Sequence, residues 1–448
     1  MIPFDTLSSL CEEFKKNNRI KPSDYEKYHV KRGLRNEDGT GVMAGLTSIC
    51  NVRGYVIDDG ERIPVAGKLN YRGISIEDII AGCDRDNRFG FEEVTWLLLF
   101  GDLPSKEKLD WFRGVLADAR ELPQYFAEDM IIKAPSKNIM NKLSRSVLAL
   151  YSYDADPDNT SFENVLSQCI GLIAKLPVIM SYAYQVKRRY YDGKSMFFHP
   201  IDPNHSTAEC ILSSIRPDRA FSEKEAMLLD RCLMLHADHG GGNNSTFTTR
   251  VLSSSGTDTY GTLSAAISSL KGPKHGGANI KVMEMVHDIK SHVDNINDEG
   301  QVKDYLIKII KKEANDNSGL IYGMGHAIYT LSDPRAVQIK KMAQDLAQEG
   351  NLYNEFCLLN IIEKLTPELM AEYKGISKAM CANVDLYSGL VYTALGVPED
   401  LLTPIFATAR ISGWCAHRLE EITTGGKIMR PAYKAVWKEQ PYIELADR

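Results

Sequence analysis

Apolar residues recur at three- and four-residue spacing from end to end of this chain, as in residues 92–100 (EEVTWLLLF) and 142–151 (KLSRSVLALY). Spacing of that kind puts the apolar side chains on one stripe of a helix, so the expected fold class is all-α. The exception is residues 49–71, where Gly54, Asp59-Gly60 and Gly67 punctuate short β-prone runs such as Tyr55-Val56-Ile57. Asp-Gly stands where a two-residue hairpin turn wants it, and a small β-ribbon is expected near the N-terminus. Ser222 and Glu225 have the spacing of a capping box. Behind them Leu228, Cys232, Leu235 and His239 share one stripe and Leu229, Leu233 and His236 the next, the mark of a buried helix. Thr403 as cap and Pro404 at the first helical position open another helix, whose stripe through Phe406 carries Arg410, Gly413 and His417.

The charge balance narrows the partners. With 53 Lys+Arg against 59 Asp+Glu, a net charge of −6, the chain lacks the basic excess of a nucleic-acid or anionic-membrane protein. No uninterrupted apolar stretch approaches the length of a membrane span, and the start, MIPFDTLSSLCEEFKKNN, has no basic region followed by an apolar core. Nine cysteines, no two closer than 20 residues, give neither a CxxC metal pattern nor a disulfide framework. A cytoplasmic protein with free thiols is expected. Composition shifts within 292–317, a charge-rich stretch bounded upstream by the glycine-rich 272–279 and downstream by Lys374-Gly375. It reads as a smaller domain, 279–384, inserted in a larger helical one made of 1–278 and 385–448.

Four histidines stand out: His236 and His239 in HADHGGGNN, and His275 (GPKHGGAN) and His326 (YGMGH) in glycine-framed turns that can present an imidazole to a ligand. A metal site on His236, Asp238 and His239 is a competing reading, but HExxH is absent and no cysteine is near in sequence. Neither a dinucleotide fingerprint nor a phosphate loop is present. Asp385 is a carboxylate in a nearly uncharged segment, and Arg335, Arg410 and Arg430 offer forks for small carboxylates. Each has an ordinary alternative: a structural histidine, a helix cap for Asp385, a surface ion pair for an arginine. Together they suit a carbon-acid reaction, with a carboxylate to take a proton, neutral histidines to donate hydrogen bonds to carbonyls, and arginines to hold a polycarboxylate.

The segments HADHGGGNNSTFT, SSLKGPKHGGAN, YGMGHAIYTLSDPR, NVDLYSG and ARISGWCAHRLEE, in this order, closely resemble the citrate synthase family, and the likeness extends to GKLNYRGISIEDI and FEEVTWLLLFGDLP. It covers roughly residues 50–435. The resemblance implies that Asp385 removes a methyl proton from acetyl-CoA, that His275 hydrogen-bonds the thioester oxygen, and that His326 polarises the oxaloacetate ketone. It implies that His239, Arg335, Arg410 and Arg430 bind carboxylates, Arg430 from a partner subunit of a homodimer. It also implies that Gly323, Met324 and Gly325 receive the CoA adenine, that the small domain closes over the large one with hinges near residues 276–279 and Asp385, and that no metal or tightly bound cofactor is needed. In some members a basic residue after the GHAV-type turn contacts a CoA phosphate; here Thr330 and Leu331 stand there, leaving Lys274, Lys340 and Lys341 as candidates. The rival within the family is 2-methylcitrate synthase, which uses propionyl-CoA. From other classes, a helical scaffold that has lost the chemistry and a metallohydrolase built on HADH remain.

Overall fold

A computed structural model describes residues 4–17 and 20–447. The contacts divide it into two units, Met1–Ala44 with Met429–Arg448, and Gly45–Ile428. In the first, an exposed helix Phe4–Asn17 precedes a short one at Pro22–Lys27, and the C-terminal stretch is largely irregular. Lys434 Nζ lies 5.7 Å from the Tyr28 ring centroid, a cation–π contact between the two ends of the chain.

The second unit begins with the expected ribbon, β1 (Cys50–Asp58) antiparallel to β2 (Glu61–Tyr71), with the two-residue β3 (Ile74–Ser75) on the far side of β2. Asp58 pairs with Glu61 across Asp59 and Gly60, whose φ values are 47° and 82°. Both turn residues are left-handed, as a type I′ turn demands and as Asp-Gly predicts. Ribbon apart, the unit is built of helices: α1 (Phe91–Phe100), α2 (Phe162–Tyr190), α3 (Glu223–His236), α4 (Asn244–Ser254), α5 (Thr259–Leu270), α6 (Pro334–Glu349), α7 (Asp385–Ala394) and α8 (Leu402–Thr423) carry the argument below.

The centre is α8, buried on all sides against α1, α2, α3, α4 and α5. A helix buried on every face can be stable only inside such a shell. The same reason explains α2, which is long and apolar enough to cross a membrane by composition; 67% of its most apolar window is buried in this fold. Its polar residues are scattered, so a search for unbroken apolar runs does not see it. The capping box at Ser222 and Glu225 opens α3 as expected. Two boundary readings are corrected. α3 stops at His236, so His239 sits in the turn beyond it rather than on its stripe. And α8 starts at Leu402 behind a 3-10 turn, Glu399–Leu401, which makes Thr403 the second helical residue and not the cap. Its hydroxyl points instead to Gly276 O and Asn279 Oδ1, each at 3.2 Å.

Candidate active site

His275 follows α5 in a tight turn where Gly276 N–H returns to Leu270 O at 2.9 Å. A Cβ on Gly276 would stand 2.5 Å from that oxygen, so only glycine fits. The imidazole Nε2 accepts the backbone N–H of Ser245 at 3.2 Å, at the N-terminus of α4, and lies 2.9 Å from Ser245 Oγ. That hydroxyl is itself held, receiving the indole N–H of buried Trp414 at 3.2 Å and donating to Asn243 Oδ1 at 3.0 Å. Since Nε2 is an acceptor, the ring proton belongs on Nδ1. Burial, helped by Arg410, lowers the His275 pKa to about 4, so the ring is a neutral donor at pH 7.

His326 reaches the same condition with opposite atoms. Its Nδ1 accepts the backbone N–H groups of Ile328 at 3.0 Å and Tyr329 at 3.2 Å, leaving the proton on Nε2. The ring stacks on Tyr329 at 4.7 Å and meets His239 edge-on at 5.1 Å. His239 is buried with Nε2 unpartnered, and burial followed by Arg335, His326 and Arg410 holds its pKa well below the usual range. His236 turns elsewhere, packing on Phe406 at 4.4 Å and Tyr392 at 6.5 Å. The two HADH histidines therefore serve different surroundings, and among the described residues no group of three or more His, Cys, Asp or Glu is arranged to hold a metal.

Asp385 is the first residue of α7, so it is not the cap but stands in the first turn. Its own N–H is taken by Asn383 Oδ1 at 3.0 Å. Burial raises its pKa to about 7 against the pull of Arg335 and Arg410. Asn383 also ties this carboxylate to the His326 turn: Nδ2 donates to Gly325 O at 3.0 Å, the backbone N–H to Gly323 O at 2.9 Å, and Gly325 N–H returns to Cys381 O at 2.8 Å. Met324 faces Ala382 in an isolated bridge. Gly323 and Gly325 take φ values of 82° and 86°, a backbone that side chains disfavour.

Both arginines on helices enter the cluster. Arg335, at the start of α6, is locked by its neighbour: Asp333 Oδ1 accepts Nε at 3.0 Å and Oδ2 accepts Nη2 at 2.7 Å. Arg410, in α8, is 1% exposed and has no such partner. Its Nε donates to His236 O at 2.7 Å, its guanidinium lies 4.7 Å over Phe406, and Nη2 is buried with no acceptor. Burial lowers its pKa to about 10, which leaves it charged at pH 7. Nearby, Asp238 is held ionised at about 2, chiefly by His417, whose Nε2 lies 3.2 Å away, despite complete burial. His417 Nδ1 accepts from Arg250, which pairs with Glu420 and Glu421. α8 passes so close to the HADH turn that a Cβ on Gly413 would stand 2.5 Å from Asp238 Oδ1 and from Ala237 O.

So the structure gathers His239, His275, His326, Arg335, Arg410 and Asp385. Arg430 is exposed and belongs to the terminal unit. Of the lysines considered for a phosphate, Lys340 is taken up by Glu363 at 2.6 Å and lies over Tyr387 at 5.2 Å, while Lys274 and Lys341 are exposed. Thr330 is buried. Sequence reasoning missed Ser245, Trp414, Asp333 and Asn383. Asp333 alone had a local signal, the Asp-Pro-Arg order that lets a cap reach its own helix's second residue.

Comparison with known proteins points to one family. Residues 36–432 match the family model described as citrate synthase, C-terminal domain. A citrate synthase of Acidithiobacillus ferridurans is 34% identical over 91% of this chain and 97% of its own. A 2-methylcitrate synthase 1 of Corynebacterium glutamicum is 31% identical over 94% and 98%. The crystal structure of citrate synthase from Thermotoga maritima superposes with a TM-score of 0.72 at 28% identity, covering 94% of this chain and 99% of that one.

Proposed function

The chain belongs to the citrate synthase family, and on that premise we propose that it condenses acetyl-CoA with oxaloacetate and hydrolyses the product to citrate and CoA. A carboxylate with a pKa of about 7 is matched to taking a proton from a weak carbon acid at neutral pH, so Asp385 is the base. The thioester oxygen takes the Nδ1 proton of His275 as a hydrogen bond while charge develops on it. A preset neutral donor of this kind is worth about 3–4 kcal/mol in the transition state. His326 Nε2–H polarises the ketone of oxaloacetate in the same way. The enol carbon attacks that ketone, whose oxygen gains a proton, and water then splits the thioester of citryl-CoA, releasing the CoA thiol. Arg410 Nη2, Arg335 and His239 receive the oxaloacetate carboxylates, and Arg430 of a second copy completes the set in a homodimer. The segment 279–384 closes over the site and excludes water, with Gly323, Met324 and Gly325 against the CoA adenine. The enzyme works in the cytoplasm, as an acyltransferase of the tricarboxylic acid cycle.

The observation that carries this reading is the pair of oppositely assigned neutral imidazoles beside a carboxylate raised to about 7. Propionyl-CoA is the alternative acyl donor, favoured by the likeness to a 2-methylcitrate synthase. Room for one extra methylene changes selectivity by only about 1–3 kcal/mol, so both donors should be compared on the same protein. Thiol release from acetyl-CoA that requires oxaloacetate and exceeds the propionyl-CoA rate supports the citrate reaction. The reverse order selects methylcitrate, and no release from either overturns the enzymatic reading.

A further inference from the structure

Tyr329 is buried at 1% exposure yet stands outside the contiguous apolar core. Its ring stacks on the His326 imidazole at 4.7 Å, 29° from parallel, and meets His239 edge-on at 5.5 Å. Its backbone N–H is one of the two that His326 Nδ1 accepts. The side chain thus touches both histidines assigned to oxaloacetate above.

The ribbon provides the other side of its seat. A Cβ on Gly54 would stand 2.6 Å from Ile328 O and 3.0 Å from Tyr329 Cα. One on Gly67 would stand 2.1 Å from Ser332 O and 2.8 Å from Tyr329 Cδ1. Glycine inside a strand often marks the close approach of another backbone. Here two of them, on β1 and β2, form a slot that admits residues 328–332 and one edge of the Tyr329 ring. Gly54 lies at the register shift between Arg53 and Tyr55, where a bulge bends the strand. Hydrogen bonds fasten the fit: Tyr329 O–H donates to Lys68 O at 3.3 Å, Gly67 N–H to Ser332 Oγ at 3.1 Å, and Arg62 Nη2 to Ile328 O at 3.4 Å. Burial raises the Tyr329 pKa, so its hydroxyl stays a donor.

The consequence falls on His326. A neutral imidazole in water exchanges its proton between the two nitrogens, and which one keeps it is set by the hydrogen bond at the other. The N–H groups of Ile328 and Tyr329 select Nδ1 as the acceptor only while that backbone keeps its place and the ring keeps its plane. Tyr329 governs both, because its stack fixes the plane and its slot fixes the backbone. We propose that Tyr329, seated by Gly54 and Gly67, is a positioning residue that keeps His326 an Nε2–H donor aimed at the substrate ketone. The assignment rests on the role given to His326 above.

Three variants of the full chain test it. Y329L removes the ring, G67A pushes on the segment from the ribbon while leaving every side chain of the site in place, and Y329F keeps the ring in its slot. Thiol release and the ring nitrogen-15 signals of labelled histidine are measured on each, the His326 signals being identified by their absence from H326Q. In the unaltered protein His326 should show one form, with Nε2 protonated and Nδ1 bare. In Y329L and G67A the two nitrogens should average between tautomers, and kcat should fall about 10- to 100-fold, as for a reacting group displaced by about 1 Å. The acyl-CoA KM should change by less than about threefold, and Y329F should retain more than about half of kcat. Either Y329L or G67A decides the matter once cooperative urea unfolding shows it to be folded. Unmoved His326 signals in a folded Y329L or G67A overturn the proposal, whatever happens to kcat. Equal losses in Y329F and Y329L overturn it too, because the stack would then contribute nothing. If the signals shift but the unaltered protein releases no thiol from any acyl-CoA, the proposed reaction fails while the hold of Tyr329 on His326 stands.

Discussion

Arg335 and Arg410 are buried guanidiniums in one cluster, but only Arg335 comes with a carboxylate of its own. Asp333 grips it through two hydrogen bonds, so its charge is satisfied within the chain itself. Arg410 has a carbonyl and an aromatic face, and one N–H of its fork meets nothing. The same contrast runs through the acids: Asp238 is held ionised by His417, whereas Asp385 has its pKa raised to about 7 by burial. Paired charges satisfy one another inside the fold, whereas a buried charge without a partner costs free energy that a counter-charge would recover.

Four experiments break or sharpen that contrast. The largest effect is expected from Asp385→Asn, which keeps shape but removes the base: kcat should fall about 1,000-fold while oxaloacetate still binds. In the unaltered protein kcat/KM should climb with pH and level off above about 7, as Asp385 ionises; a flat profile from pH 5 to 8 would exclude it as the base. Next, Asp333→Asn strands Arg335, and urea unfolding should show a loss of about 3–5 kcal/mol. Arg410→Gln should do the reverse, weakening oxaloacetate binding by about 2–3 kcal/mol in calorimetry with a smaller change in stability. Equal stability losses in the two variants would mean that the arginines are not distinct in kind.

The smallest effect is a pH dependence of stability. His275 has a folded pKa of about 4 against 6.5 when free, so the unfolded chain takes up its proton first. Its contribution is present above pH 6.5 and is lost as pH falls toward 4. Asp385 works oppositely: raised from 3.8 to about 7, it favours the folded state at low pH and costs stability as pH rises through that window. Chemical denaturation of His275→Gln should flatten the first trend and of Asp385→Asn the second.

Much of this was legible in the residues. Helical spacing gave the fold class, Asp59-Gly60 gave the ribbon turn, and Ser222 with Glu225 gave the start of α3. Local signals act over a few residues, and these features are local. Thr403 misled because a hydroxyl before a proline looks like a cap, while the 3-10 turn ahead of it moved the helix start. The partners that set each proton were out of reach: Ser245 is 30 residues from His275 and Trp414 is 169 from Ser245. No periodicity encodes such pairs; only packing brings them together.

Gly413 shows how far that packing governs what the chain tolerates. Its lack of a side chain lets α8 pass against Ala237 and Asp238, and even alanine would drive an atom into both. A survey of every single substitution would therefore score Gly413 as severely as Asp385, although no substrate atom approaches it in the reaction proposed above. Intolerance mapped along this chain would trace the places where helices touch as clearly as the places where bonds change, and telling the two apart requires a measurement of turnover per folded molecule.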